Sequence, residues 1–218
     1  DTPGKKLGIG SSAAICTATC AALAELAGCP LSFDGALAAH RQMQGSQGSG
    51  VDVAAAYYGG TLRFADGKPT PATWPEGLSY QFVWTGISAT TTKHIQTFSA
   101  WFDKGSTQPL EALARCCEGL FEAADLDGLT NYVTQLKHLD EQANLGIFTE
   151  PHKVLDRLAI ERQLVYKPCG AGGGDIGIVF GQADSSQDQL DSFVQAARYL
   201  NFQPLALEIA THGIRPTR

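Results

Sequence analysis

The chain has 218 residues, 44% of them hydrophobic and 17% charged, with a formal net charge of −6. That length and apolar content suffice for one large or two small cores and exclude a disordered chain. No apolar run is long enough to span a bilayer, no basic-then-apolar leader is visible, and the acidic balance argues against a broad nucleic-acid-binding face, so neither membrane nor nucleic acid is expected as a partner.

In chain order, residues 11–27 predict a helix that is small and apolar all round, hence buried, and stopped by Gly28. Ser32 is placed to cap a second helix over 34–44. After the loop GSQGSG, Asp52 stands where it can cap a short helix, VAAAYY, that stops at Gly59-Gly60. Residues 61–64 read as a strand. The segment DGKPTPATWPEG (66–77), rich in Pro and Gly, is the best candidate for a domain connector. Beyond it come a strand at 80–85 and helical spacing over 90–103, 109–124 and 129–145. Thr149-Glu150-Pro151 opens a further helix with Pro in the first turn. Val165-Tyr166 leads into KPCGAGGGD and then IGIVF, a short buried strand. An amphipathic helix over 186–200 and a strand over 205–210 complete an α+β pattern.

The six cysteines, Cys16, Cys20, Cys29, Cys116, Cys117 and Cys169, form no Cys-x-x-Cys pair and no zinc spacing with histidine. Reduced, structural thiols and a cytoplasmic setting are expected. His40, His94, His138, His152 and His212 have no recurring partner at ligand spacing and read as surface or capping residues, none of them catalytic.

Three segments carry candidate chemistry. Lys5-Lys6-Leu7-Gly8-Ile9-Gly10-Ser11-Ser12-Ala13 opens the first helix. Glycines let a ligand approach the backbone, and a helix start offers unpaired N–H groups, which together suit a phosphate. Ser11 and Ser12 add hydroxyls for phosphate or Mg²⁺, and Lys6 adds a full positive charge. The spacing is neither a Walker A loop nor a dinucleotide fingerprint. A plain glycine turn capped by serine is the other reading. Gly48-Ser49-Gly50-Val51-Asp52 sets a carboxylate after a permissive loop, where it either caps a helix or orients a lysine or acts as a base. Gly170-Ala171-Gly172-Gly173-Gly174-Asp175 is either a flexible hairpin or a ligand loop.

Taken together, LGIGSSAA, SGVDVAAAYYGG and GAGGGDIGI resemble, in order and spacing, the three motifs of the GHMP kinase superfamily. Within it, QGSGVDVAAAYYGGTLRF, VWTGISATTTKHI and KPCGAGGGDIGI are most similar to the phosphomevalonate kinase family, with Cys169 where Ser or Thr is commoner. The resemblance implies ATP-dependent, Mg²⁺-assisted phosphorylation of 5-phosphomevalonate to the diphosphate, in isoprenoid precursor synthesis. Another GHMP kinase, such as a mevalonate kinase, or a non-catalytic ligand-binding paralogue are the alternatives. The implied fold has two α+β domains with the active site in the cleft between them. Residues 1–71 would be the remainder of an N-terminal domain like ribosomal protein S5 domain 2, and 72–218 a ferredoxin-like C-terminal domain.

The same resemblance implies site roles. ATP phosphates would lie on Gly8, Gly10, Ser11, Ser12 and Ala13, with Mg²⁺ near Ser11 or Ser12. Lys6 and Asp52 would be the catalytic pair, Lys6 neutralising charge on the transferring group. Ser49, Gly50, Thr90, Thr91, Gly172, Gly173 and Asp175 would hold a small anionic acceptor. The superfamily places strands and a first motif before the phosphate loop, so the expectation is a piece whose N-terminal segment is missing. Arg41 stands where mevalonate kinases carry a Mg²⁺-binding Glu.

Overall fold

The computed structural model describes residues 7–45, 48–88, 91–105, 107–122 and 125–214. They form two compact units. One comprises residues 9–74 with the closing segment from Glu208, and the other comprises Pro75–Leu207 with the entering segment through Gly8.

The first unit holds helices α1 (Ser11–Leu26), α2 (Phe33–Met43) and α3 (Val51–Tyr58) and a hairpin of β1 (Thr61–Ala65) and β2 (Lys68–Ala72). Helix α2 starts where Ser32 accepts a bond from the Gly35 amide at 3.1 Å. Ala13, Ala36, Leu37 and Val53 form the core where α1, α2 and α3 meet, with Leu31, Phe33 and Tyr57 packed around it. Helix α1 is not buried all round as its composition predicts. It buries only Ala13, Cys16 and Thr17, while Ile15, Leu23 and Leu26 are 66%, 60% and 86% exposed. Small apolar residues define a helix but not which of its faces has a neighbour, and here α2 and α3 cover one side.

The connector segment is also partly structured. Asp66 and Gly67, both left-handed, make the tight turn that lets β2 pair with β1 from Ala65↔Lys68 to Thr61↔Ala72. Pro69 and Pro71 are tolerated because a two-stranded ribbon leaves β2 an edge. The closing segment returns to the end of α3, where the Gly213 and Ile214 amides donate to the carbonyls of Tyr58 and Tyr57 at 3.0 and 3.1 Å.

The second unit runs β3 (Leu78–Trp84), α4 (Thr91–Phe102), α5 (Gln108–Glu122), α6 (Leu126–Ala143), α7 (Glu150–Ile160), β4 (Val165–Pro168), β5 (Ile176–Gln182), α8 (Gln187–Tyr199) and β6 (Gln203–Leu205). The sheet order is β4-β5-β3-β6 with every neighbour antiparallel. That is the split β-α-β-β-α-β arrangement of ferredoxin-like folds, with α4 to α7 filling the first crossover. One sheet face presents Val83, Tyr166 and Val179 to Leu155, Ala159, Leu190, Phe193 and Ala197 of α7 and α8. The alternate positions Phe82, Trp84 and Ile176 pack with Leu205 and Leu7 instead. The final strand is shorter than the 205–210 expected and ends at Leu205. Among the described residues no helix is long and apolar enough to cross a membrane, and all six cysteines are free.

Candidate functional site

In the first unit, Gly10 is the N-cap of α1 in a left-handed conformation, φ 71° and ψ 22°. A non-glycine residue there would be strained. The Gly10 carbonyl takes the first helical bond, from Ala14 at 3.1 Å, and among the described residues no side chain caps the amides of the first turn. Ser11 and Ser12 are exposed at this start, whereas Ala13 is buried beneath it. The reading of a turn capped by serine does not hold: the hydroxyl of Ser12 instead lies 3.2 Å from Nε2 of His40.

Asp52 comes against the same turn. A Cβ added to Gly10 would sit 3.3 Å from the Asp52 carboxyl carbon. Asp52 is not the cap of α3 that its sequence position suggests. The helix begins one residue earlier, at Val51, with left-handed Gly50 as its N-cap, and Asp52 falls in the first turn, exposed. Gly50 is needed for a second reason, since a Cβ there would meet Leu37 at 2.6 Å. Ser49 accepts weakly from the Val51 amide at 3.4 Å. The first unit thus brings Gly10, Ser11, Ser12 and Asp52 together and adds His40 beneath Ser12.

In the second unit the glycine-rich segment is tied down on several sides. The Gly172 amide donates to Cys169 and the Gly173 amide to Ile147, at 3.2 and 2.9 Å. A Cβ on Gly172 would meet Ile147 at 2.6 Å. The Asp175 amide donates to Ile87 at 2.6 Å, and the Asp175 carbonyl accepts from both the amide and the hydroxyl of Thr85 at 2.9 Å. The Gly174 carbonyl lies 3.1 Å from Nε2 of His152. The loose-hairpin reading does not hold, because the loop is a fixed backbone surface. Asp175 itself is left-handed, φ 56°, and its Oδ1 is buried without a hydrogen-bond partner among the described residues. Gly8, in the entering segment, packs directly on the Asp175 carboxylate and leaves no room for a side chain.

Two supports of these loops overturn the surface reading of the histidines. His152 is fully buried and His40 is 7% exposed. Burial pushes His152 down to about 4, with the nearby charge of Lys167 acting in the same direction and the bond to Gly174 opposing both. A further support is Asp140 on α6. Its carboxylate accepts from the amides of Ile147 and Phe148 at 2.9 and 2.8 Å, which fixes the carbonyl that Gly173 uses. Lys6 and Thr90 lie outside the described residues, and Thr91 is the first residue of α4.

Oxygen donors fit Mg²⁺, which binds through a carboxylate or two and substrate phosphates rather than an all-protein cage. Ser11 and Ser12 with Asp52 offer that chemistry, and no cluster of three His, Cys, Asp or Glu competes with it among the described residues.

Residues 3–60 match the family model described as the GHMP kinases N terminal domain. Among curated relatives it is 29% identical to the phosphomevalonate kinase of Streptomyces sp. (strain CL190), across 97% of this chain and 66% of that protein. The fold is shared with the Lin0012 protein from Listeria innocua (TM-score 0.81, 23% identity, 95% of this chain and 68% of that one). It is also shared with the Streptococcus pneumoniae phosphomevalonate kinase solved with phosphomevalonate and AMPPNP (TM-score 0.75, 19% identity, 96% and 71%). The chain therefore spans about two thirds of the length of the relatives it matches.

Proposed function

We propose that the protein belongs to a cytoplasmic phosphomevalonate kinase, transferring the γ-phosphoryl group of ATP to the phosphate of 5-phosphomevalonate. An acceptor phosphate oxygen attacks the γ-phosphorus, the bond to the β,γ-bridging oxygen breaks, and ADP leaves with that electron pair. The acceptor's second pKa is about 6, so its oxygen is largely anionic at pH 7 and no base has to free it. The protein's task is positioning and relief of repulsion between two anions.

The observation that carries this reading is the uncapped, left-handed Gly10 turn at the start of α1 with Asp52 against it. In this assignment the amides from Gly8 to Ala13 receive the ATP phosphates, with the hydroxyls of Ser11 and Ser12 beside them. Lys6 supplies positive charge to the transferring group, and Asp52 keeps Lys6 oriented. Ser49, Gly50, Thr90, Thr91 and the Gly172, Gly173 and Asp175 backbone hold the acceptor. Mg²⁺ when bound, near Ser11, Ser12 and Asp52, would offset the charge of the phosphates. We assign residues 1–71 to the phosphate-binding domain and 72–218 to the acceptor domain.

The phosphomevalonate preference draws on the Streptomyces relative, whose alignment covers nearly the whole chain. ADP release by the complete protein, with phosphomevalonate, mevalonate and homoserine offered separately, tests it. Turnover confined to phosphomevalonate is expected. Turnover of mevalonate alone would reassign the acceptor to a hydroxyl, and none with any acceptor would leave a binding protein.

A further inference from the structure

We propose that His152, outside all three glycine motifs, is a positioning residue: its imidazole bridges the Tyr166 hydroxyl and the Gly174 carbonyl and so holds the carbonyl side of the acceptor loop's Gly174–Asp175 peptide. The inference rests on the reading that this loop holds an anionic acceptor.

The bridge has a definite polarity. Nε2 faces the Gly174 carbonyl at 3.1 Å, and a carbonyl only accepts, so Nε2 carries the proton. In the neutral ring Nδ1 is then a lone pair, and the Tyr166 hydroxyl 2.7 Å away must donate to it. Burial, which holds the imidazole far below its ordinary pKa, keeps this single tautomer through neutral pH. The phenol is itself placed by a deletion of bulk. Gly177 of β5 has no side chain where any Cβ would run into the Tyr166 hydroxyl. Thus a glycine on one strand, a tyrosine on the next and the first turn of α7 converge on one carbonyl.

That carbonyl needs a hold. Gly172, Gly173 and Gly174 have φ of 73°, 79° and 152°, a run that glycine adopts freely and leaves as freely. The Gly173 amide is tied through Ile147, and Asp175 through Ile87 and Thr85. The Gly174 carbonyl shares its peptide with the Asp175 amide, which Ile87 holds from the other side, and that oxygen repels an anionic acceptor if it turns to the loop surface. His152 draws that oxygen into the core.

The test compares His152→Phe, His152→Gln and Tyr166→Phe in the complete, active protein. Gln keeps an N–H donor near the Nε2 position, and Phe keeps bulk without a donor. His152→Phe should raise KM for phosphomevalonate about tenfold or more, the scale of one buried hydrogen bond, while KM for ATP changes less than about twofold. His152→Gln should recover most of the loss, and Tyr166→Phe should fall between. Two readouts do not depend on activity. ¹⁵N NMR of wild type should show protonated Nε2 and unprotonated Nδ1 from pH 6 to 8. Amide exchange at Gly173, Gly174 and Asp175 should quicken in Tyr166→Phe and, more, in His152→Phe. If wild type ignores phosphomevalonate, the function reading fails while these two readouts still judge His152. An Nδ1-protonated tautomer, or unchanged acceptor KM and loop exchange in Tyr166→Phe and in folded His152→Phe, overturns the proposal. If His152→Phe does not fold, Tyr166→Phe and the tautomer decide.

Discussion

Asp52 is the residue on which two kinase chemistries divide. Its carboxylate is exposed in the first turn of α3, against Gly10 and one helix start away from Ser11 and Ser12. A hydroxyl acceptor is a poor nucleophile at neutral pH and benefits from a carboxylate base there. A phosphate acceptor already carries its charge. If the acceptor is phosphomevalonate, Asp52→Asn, which keeps size and polarity, should leave substantial turnover. In wild type and variant alike, kcat/KM should then fall as pH drops through about 6, the acceptor's own second pKa. Profiles of kcat/KM against pH for both proteins check this. Near-complete loss in Asp52→Asn, together with an acid limb found only in wild type, would make Asp52 a base and the acceptor a hydroxyl. The residue scale is also where the sequence was most readable. Gly10, Gly50 and Gly172 stand out because each is left-handed and two of them leave no space for a Cβ. Their supports were not readable: Ser12 meets His40 across 28 residues, His152 meets Gly174 across 22 and Thr85 meets Asp175 across 90. No local pattern marks such a pair, and a histidine without ligand spacing looks like any surface histidine until the fold buries it.

At the scale of elements, stop and start signals carried most of what was legible. Ser32 caps α2 as expected, and Asp66-Gly67 turns a connector into a hairpin. Asp125, which accepts from the Gly128 amide at 2.7 Å, begins α6 three residues before its hydrophobic pattern does, and Asn144 in the left-handed region ends it. What the pattern did not disclose is which faces meet, as the exposed flank of α1 shows. Asp140 illustrates how an element reaches a loop. It sits near the end of α6 and holds the amides of Ile147 and Phe148, and the Ile147 carbonyl in turn accepts from Gly173. Asp140→Ala strands two amides, that of half-buried Ile147 and that of buried Phe148, and should lower unfolding free energy by roughly 2–4 kcal/mol. Asp140→Asn restores one acceptor but presents an N–H to the second amide, so it should recover only part. Glu141→Ala, one residue on and exposed, should stay within about 0.5 kcal/mol. Urea unfolding of the three variants measures this, and equal midpoints for Asp140→Ala and Glu141→Ala would remove Asp140 from the support of the loop.

For the whole molecule, the buried imidazole makes stability depend on pH with a definite sign. His152 lies beside Tyr166 and Leu155, in the core that joins the sheet to α7 and α8. Its pKa is about 4 in the folded protein, against 6.5 when exposed. Between those values the unfolded chain binds a proton that the folded chain refuses, so acid favours unfolding. The contribution is fully present above about pH 6.5, is lost as pH falls toward 4, and is constant below that. At about 1.36 kcal/mol per pH unit the full loss is roughly 3 kcal/mol, a large share of the 5–15 kcal/mol typical of a domain. Protonation would also convert Nδ1 from acceptor to donor, so the Tyr166 hydroxyl would have to turn and accept, while the Nε2–H bond to Gly174 persists. His152→Gln has no group that titrates in this window. Its unfolding free energy, even if lower at pH 7.5, should therefore fall less than that of wild type between pH 6.5 and 4.5. Urea titrations at several pH values give both curves. Parallel curves across the window would mean that His152 takes up its proton in the folded protein as readily as in the unfolded chain.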